Sequence, residues 1–209
     1  MIEKQRRSSQ DSWGDFFFSK GLAFYERMFY NSYKHTFELE GVPVENGILH
    51  VDMNNFYASV ETLFAPEYRD VPMAVAGDKE SRHGIILAKN MLAKQMGVQT
   101  AEPIWQAKRK CPNLQLVKPH RERYAEYSRM AQEIYYRFTD LVEPFSLDEC
   151  WLDVYGSERL FGDGEQIAQQ IRRTIKEELG LTVSIGVSYN KVFAKLGSDY
   201  KKQIGRAHV

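Results

Sequence analysis

ILHVDMNNFYASVETLF, residues 48 to 64, decides how the chain is read. Its first six residues are apolar apart from His50 and Asp52, with β-branched Ile48 and Val51, and this predicts a buried strand. Asn54 and Asn55 supply turn residues, and FYASVETLF reads as a helix stopped by Pro66. The segment is strand, tight turn, helix. Asp52 ends the strand among apolar neighbours, where a charge is costly unless something pairs with it. On this residue alone a helix N-cap, a buried salt bridge and a metal-binding role all stay open.

Working outward, PMAVAG (72–77) and GIILA (84–88) read as strands, followed by short helices at 90–96 and 103–111 and a strand at LQLV (114–117). Tyr124, Tyr127, Met130, Ala131, Ile134, Tyr135 and Phe138 recur at three- and four-residue steps, one apolar face of a helix over 121–139. LVEPFS and ECWLDVY predict two strands flanking Leu147 and Asp148. A helix over 164–179, a strand TVSIGV and a helix from Asn190 complete the pattern. The expected class is α+β, one sheet covered by helices. No internal repeat or low-complexity tract interrupts it.

The chain has 209 residues, 43% hydrophobic and 13% aromatic, enough to bury a core. Lys plus Arg and Asp plus Glu both number 28, so composition gives no argument for a nucleic-acid partner. Residues 66–119 hold nine Lys or Arg against five acids, a local excess of four. Cys111 and Cys150 stand far apart and outside any Cys-x-x-Cys spacing, which predicts reduced core thiols. No stretch reaches the roughly 20 apolar residues of a spanning helix, and no signal-peptide core forms. The expectation is a cytoplasmic protein without a membrane partner.

Asp148 and Glu149 adjoin inside the apolar run SLDECWLDV. Adjacent acids repel, and a nearby cation is a physical reason to keep them. If strands 48–53 and 149–155 are neighbours, three carboxylates converge at one sheet edge. Oxygen-only ligands suit Mg²⁺, and two such ions about 4 Å apart support an in-line displacement at phosphorus.

HVDMNNFYASVE (50–61), GIILAKNMLAKQMGVQTAEPIWQAKRKCP (84–112), FSLDECWLDV (145–154) and SIGVSYNKVFAKLGSDYKK (184–202) resemble, in order, successive motifs of the Y-family translesion DNA polymerases of the polymerase IV and UmuC type. The resemblance implies a ferredoxin-like palm sheet covered by helices, formed by 46–65 and 120–202, with a small α/β fingers subdomain inserted at 66–119. The family's thumb and little finger lie beyond the motifs this sequence carries. The implied activity is translesion DNA synthesis by nucleotidyl transfer from a dNTP to a primer 3′-hydroxyl on primer-template DNA, with two Mg²⁺ ions. A sliding clamp would be met through segments this sequence lacks, and the chain alone is expected to bind DNA weakly and extend it poorly.

Residue by residue, the resemblance makes Asp52 and Asp148 bridging metal ligands, Glu149 the ligand of the metal at the primer end, and Met53 a carbonyl ligand. Tyr57 matches the steric gate, an aromatic ring that leaves no room for a ribose 2′-hydroxyl, beside Phe56. The turn through Asn55 offers N–H groups to triphosphate oxygens. Met91 and Lys94 stand where many members have Tyr and Arg: Lys94 keeps the charge without the bidentate fork, and Met91 cannot donate. Lys202 matches a lysine that reaches the triphosphate. Lys191 and Lys195 are either solvated or functional. Asn54 is not expected to bind metal, Asp153 is structural, and His50 is a strand histidine with its hydrogen bond satisfied. Trp105, Trp151 and the tyrosines of 121–139 are expected in the core.

The two ends fit the pattern less well. Residues 1–45 are unassigned: either a mistranslated leader ahead of a start at Val44, or an amphipathic helix at Phe16–Phe29 docking on a partner. IGRAHV after Gln203 back-translates to a string like a sequencing-adapter end, so 203–209 is expected to be non-native. Two other classes remain: a non-catalytic DNA-repair binding module of the same fold, and a cyclic-dinucleotide cyclase. The cyclase would need a Gly-Gly-Asp/Glu turn where this chain has Ser146, Leu147, Asp148 and Glu149.

Overall fold

A computed structural model describes residues 46–77 and 84–200. The leader, the tail from residue 201 onward and Lys202 lie outside the described residues. The described residues form two sheets, one of four strands and one of three.

β1 (Ile48–Met53) lies inside the four-stranded sheet, with the order β5 (Val142–Pro144), β6 (Glu149–Asp153), β1, β7 (Val183–Ser188), all neighbours antiparallel. Being central, β1 is covered on both faces, and five of its six residues are buried. Leu49, Val51 and Met53 point one way, with Cys150 and Leu152 from β6. They meet two long helices, α4 (Arg121–Tyr135) and α6 (Gly164–Leu179), through Tyr124, Ile134, Ile167 and Ile171. The opposite face, carrying His50, is covered by α7 (Lys191–Tyr200), with His50 Nδ1 2.8 Å from Ser198 Oγ. Gly186, paired with His50, makes that approach possible, because a Cβ there would overlap the Ala194 carbonyl.

α6 begins and ends where the sequence places it. Asp163 and Gln166 form a reciprocal capping box, and Gly180 closes the helix at φ 67°. α4 is shorter than the apolar repeat predicts, ending at Tyr135. Thr139 accounts for the difference: its hydroxyl donates to the Asp153 carbonyl (2.6 Å) and accepts from Leu141 N–H (3.1 Å), pulling the chain towards β5. β5 is likewise shorter than LVEPFS. Phe145 and Ser146 both donate forward along the chain to the Glu149 carbonyl, folding the segment into the turn that carries Asp148. α5 (Glu158–Phe161) is a single turn between β6 and α6.

From β1 the chain passes through α1 (Phe56–Phe64) and a 3-10 turn (Pro66–Tyr68) into the three-stranded sheet. Its order is β3 (Ile86–Lys89), β2 (Met73–Ala76), β4 (Gln115–Val117), with β2 antiparallel to β3 and parallel to β4. α2 (Met91–Gln95) and α3 (Ile104–Lys110) supply Ala93 and Ala107 to a second core with Ala74, Ala76, Ile86, Cys111 and Leu116. Asn90 pins the junction. Its side-chain oxygen caps Ala93 N–H (3.0 Å) and takes Met73 N–H (3.1 Å), while its amide donates to the Val71 (2.7 Å) and Tyr68 (3.3 Å) carbonyls.

Both cysteines are free and buried. Burial pushes the Cys150 thiol up to about 12, which makes it inert. Trp151 is partly buried against the His50 ring at 4.3 Å. Trp105 departs from expectation: it is 59% exposed, because α3 is a short surface helix whose only buried residue is Ala107. Among the described residues no helix is long and apolar enough to cross a membrane.

Candidate active site

The end of β1 and the turn before β6 are tied together. Met53 N–H donates to the Asp148 carbonyl at 2.9 Å, and Asp52 stands directly opposite Glu149 in the β1–β6 register. Directly opposed residues of antiparallel strands share a face, so the sheet sets the Asp52 and Glu149 carboxylates side by side, while the Met53–Asp148 bond brings the backbone of Asp148 to the same strand end. Strands 48–53 and 149–155 are thus neighbours, as the expected convergence required, but their three acidic side chains do not gather at one point among the described residues.

The carboxylates are not equivalent in their surroundings. Asp52 is 9% exposed, and with Asp148 it lines a cleft of about 380 Å³. Asp148 Oδ1 accepts from Ser146 Oγ at 2.8 Å. Glu149 Oε2 instead accepts from Lys195 Nζ at 2.9 Å and stands 3.2 Å from His50 Nε2, which is not aligned as a hydrogen bond. Among the described residues no three His, Cys, Asp or Glu side chains gather closely enough to hold a metal ion. Two acids face the cleft, and the third is engaged by α7.

His50 therefore does more than the satisfied strand histidine expected. Burial, then the charge of Lys195, pull its pKa down against the opposing pull of Glu149. Lys195 is held above its ordinary value: burial works against the charge, and the contact with Glu149 outweighs it. Lys191, the other helix lysine left open by the sequence, pairs with Glu143 at 2.6 Å in an exposed bridge. Asp153 holds a local turn, accepting from Tyr155 N–H at 3.1 Å.

The remaining cleft wall comes from the start of α1 and from the three-stranded sheet: Met53, Asn55, Phe56, Tyr57, Leu87, Ala88, Lys89 and Thr100. Asn55 adopts a left-handed conformation (φ 49°), which asparagine tolerates better than most residues. No side chain caps this helix start, so its first-turn N–H groups remain donors. Asn54 braces the turn from β7, taking the Ser184 hydroxyl proton at 2.7 Å. Tyr57 stacks on Tyr124 with centroids 4.2 Å apart and planes 11° off parallel. Tyr124 in turn donates to buried Glu61 at 2.5 Å, and burial followed by that bond raises the phenol's pKa. The candidate gate is fixed from beneath.

Met91 begins α2 and Lys94 lies in its last turn; neither lines the cleft, and Met91 is 40% exposed. The sequence did not single out Lys89 or Thr100. The signal was available only in three dimensions: Lys89 is the last residue of β3, paired with Ala74, and Thr100 lies in the loop after α2 with its hydroxyl 2.9 Å from Lys89 Nζ.

The model of the impB/mucB/samB family matches residues 51–199. The chain belongs to that family. The match takes in the acids, the helix start and the lysines of α7. A curated family relative, DNA polymerase IV of Acetivibrio thermocellus, is 62% identical over 155 residues, covering 74% of this chain and 39% of the relative. Among solved structures, a Y-family DNA polymerase chimera of Dbh and Dpo4 superposes with a TM-score of 0.69 at 28% identity, covering 73% of this chain and 45% of the other. The insertion ternary complex of Dbh DNA polymerase gives 0.67 at 28% identity, with the same coverages of 73% and 45%. The family match bears out the resemblance read from the four motifs, and the α+β architecture is that of Y-family polymerases. The chain spans less than half the length of the curated relatives it matches.

Proposed function

We propose that this chain carries the catalytic palm (46–65 and 120–202) and fingers (66–119) of a translesion DNA polymerase, joining a dNTP to a primer 3′-hydroxyl on primer-template DNA. The observation that carries the reading is the shared cleft of Asp52 and Asp148, with Glu149 in register with Asp52 and an uncapped helix start in the same cleft wall. All the side-chain donors are oxygens, which suits a hard divalent cation such as Mg²⁺. Asp52 and Asp148 would hold the two Mg²⁺ ions, with the Met53 carbonyl as a further ligand and Glu149 joining on exchange of its Lys195 contact. When bound, the ions would lower the pKa of the attacking hydroxyl and neutralise the leaving pyrophosphate.

The protein's own residues supply position. The first-turn N–H groups of α1 at Asn55, Phe56 and Tyr57 offer hydrogen bonds to phosphate oxygens, a task helix starts perform well. Tyr57, held against Tyr124, would sit under the sugar and exclude a 2′-hydroxyl. Lys94 and Lys202 would add positive charge for the triphosphate, whereas Met91 lies off the cleft wall and can donate no hydrogen bond. A sliding clamp would engage other parts of such a polymerase.

A hybrid tests this: residues 46–200 replace the matching part of DNA polymerase IV from Acetivibrio thermocellus. The expected result is Mg²⁺-dependent primer extension that Asp148→Ala abolishes. Extension unchanged by Asp148→Ala would defeat the reading. The engagement of Glu149 by Lys195 favours a second reading, a DNA-binding module of the same fold without catalysis. On that reading the hybrid binds primer-template and adds no nucleotide.

A further inference from the structure

The cleft has two chemically different walls. One bears Asp52 and Asp148; the other bears Lys89 and Thr100. We propose that Lys89 and Thr100 form a phosphate-binding pair that takes the polyphosphate of a Mg²⁺-bound nucleotide, in place of the clamp that position 91 lacks. This rests on the reading of the cleft as a nucleotide site.

Several observations converge on the pair. Lys89 is anchored at its backbone by pairing with Ala74, and the next residue, Asn90, is locked by four hydrogen bonds. The Lys89 ammonium is placed by a 2.9 Å hydrogen bond to the Thr100 hydroxyl. Lys110, Lys191 and Lys195 each pair with a carboxylate, but among the described residues Lys89 forms no ion pair; its contact is the neutral Thr100 hydroxyl. That hydroxyl accepts from Lys89 and keeps its own proton to donate to a phosphate oxygen.

Electrostatics points the same way. Burial, and then the charge of Lys94, disfavour the Lys89 ammonium, with Glu102 opposing them in part. A polyanion arriving at Lys89 would offset both the burial of its ammonium and the repulsion from Lys94. Across the cleft, Asp52 and Asp148 would repel a bare polyphosphate, so the ligand must bring a divalent cation to that wall. The pair thus selects a metal-complexed polyphosphate over a free one. The cleft's size, about 380 Å³, falls in the range of small-molecule sites.

Calorimetric titration of the 209-residue chain with Mg²⁺-tripolyphosphate and Mg²⁺-dATP tests the proposal. Lys89→Met is expected to weaken both ligands by about tenfold or more, and Thr100→Val by about threefold, as loss of charge-assisted and neutral hydrogen bonds would. Lys89→Arg should stay within about threefold of the unsubstituted chain, a rescue that a merely structural role would not require. Each variant is first matched to the unsubstituted chain by its thermal melt. Undiminished binding by Lys89→Met overturns the pair, as does Lys89→Arg failing as badly as Lys89→Met. If the unsubstituted chain binds neither ligand, the nucleotide-site reading falls and the pair with it. If it binds both and Lys89→Met does too, only the pair falls.

Discussion

Two acid-bearing regions flank Tyr57, and they are built on opposite plans. Beneath it, Glu61 is 1% exposed and fully engaged: Tyr124 donates at 2.5 Å, Arg123 at 3.0 Å, and His120 Nδ1 lies 2.9 Å away. In the cleft, Asp52 and Asp148 face a space of about 380 Å³, and the third acid, Glu149, holds a lysine that is itself partly exposed. Glu61 joins α1 to α4 and leaves nothing for a ligand to do. The cleft acids leave room for a cation. A buried carboxylate with all its partners inside the protein is a structural joint, whereas carboxylates gathered at a cleft are held at a cost that a ligand can relieve.

That contrast can be broken at several points. The largest effect is expected at Asp148: in the hybrid polymerase, Asp148→Ala should lower nucleotide incorporation about 10³-fold or more, comparable to losing a major electrostatic contact in a transition state. Its unfolding free energy, read from urea denaturation, should change little, by about 0.5 kcal/mol or less. Glu61→Ala should do the reverse, costing about 3 kcal/mol or more in urea denaturation because it strands Tyr124 and Arg123. A large loss of stability at Asp148, or none at Glu61, would erase the distinction.

A smaller effect belongs to Glu102, which accepts from Gln99 N–H (2.7 Å) and Lys110 (2.5 Å) and braces the three-stranded unit. Burial pushes its pKa up, but the Lys110 bond, the Gln99 N–H and the neighbouring lysine charges outweigh this and hold it below the ordinary value. The folded state therefore binds this proton less readily than the unfolded chain. Its contribution is complete above the ordinary carboxylate range and is lost as pH falls through the depressed folded value. Glu102→Gln should cost about 2 kcal/mol at neutral pH and should flatten the acid limb of the stability profile. The smallest effect is expected at Tyr57: Tyr57→Ala in the hybrid should reduce discrimination against ribonucleotides by about tenfold, read as the ratio of kcat/KM values. Unchanged discrimination would return Tyr57 to a packing role.

How much of this was legible in the sequence follows from what periodicity can encode. The strand-turn-helix of 48–64 and the bounds of α6 were readable because Asn54, Asn55, Asp163 and Gly180 carry local conformational instructions. The adjacency of Asp52 and Glu149 was legible only as a condition, since strand order depends on contacts far apart in sequence. Trp105 was misplaced because helical spacing does not say that a short helix has one buried residue. Lys89 was hidden for a similar reason. It sits next to Asn90 in a run of common residues, and only the approach of Thr100 and the four-stranded sheet's acids gives it meaning. Glu149's engagement by Lys195 joins residues 46 positions apart, on elements whose packing depends on Gly186.

The most direct test of the central claim is divalent-cation binding in the presence of dATP, with Mn²⁺ as the spectroscopic stand-in for Mg²⁺. Mn²⁺ should bind the unsubstituted chain and Glu102→Gln alike, and should fail to bind the Asp52→Asn, Asp148→Asn double variant. Mn²⁺ binding that survives the double substitution would contradict that claim.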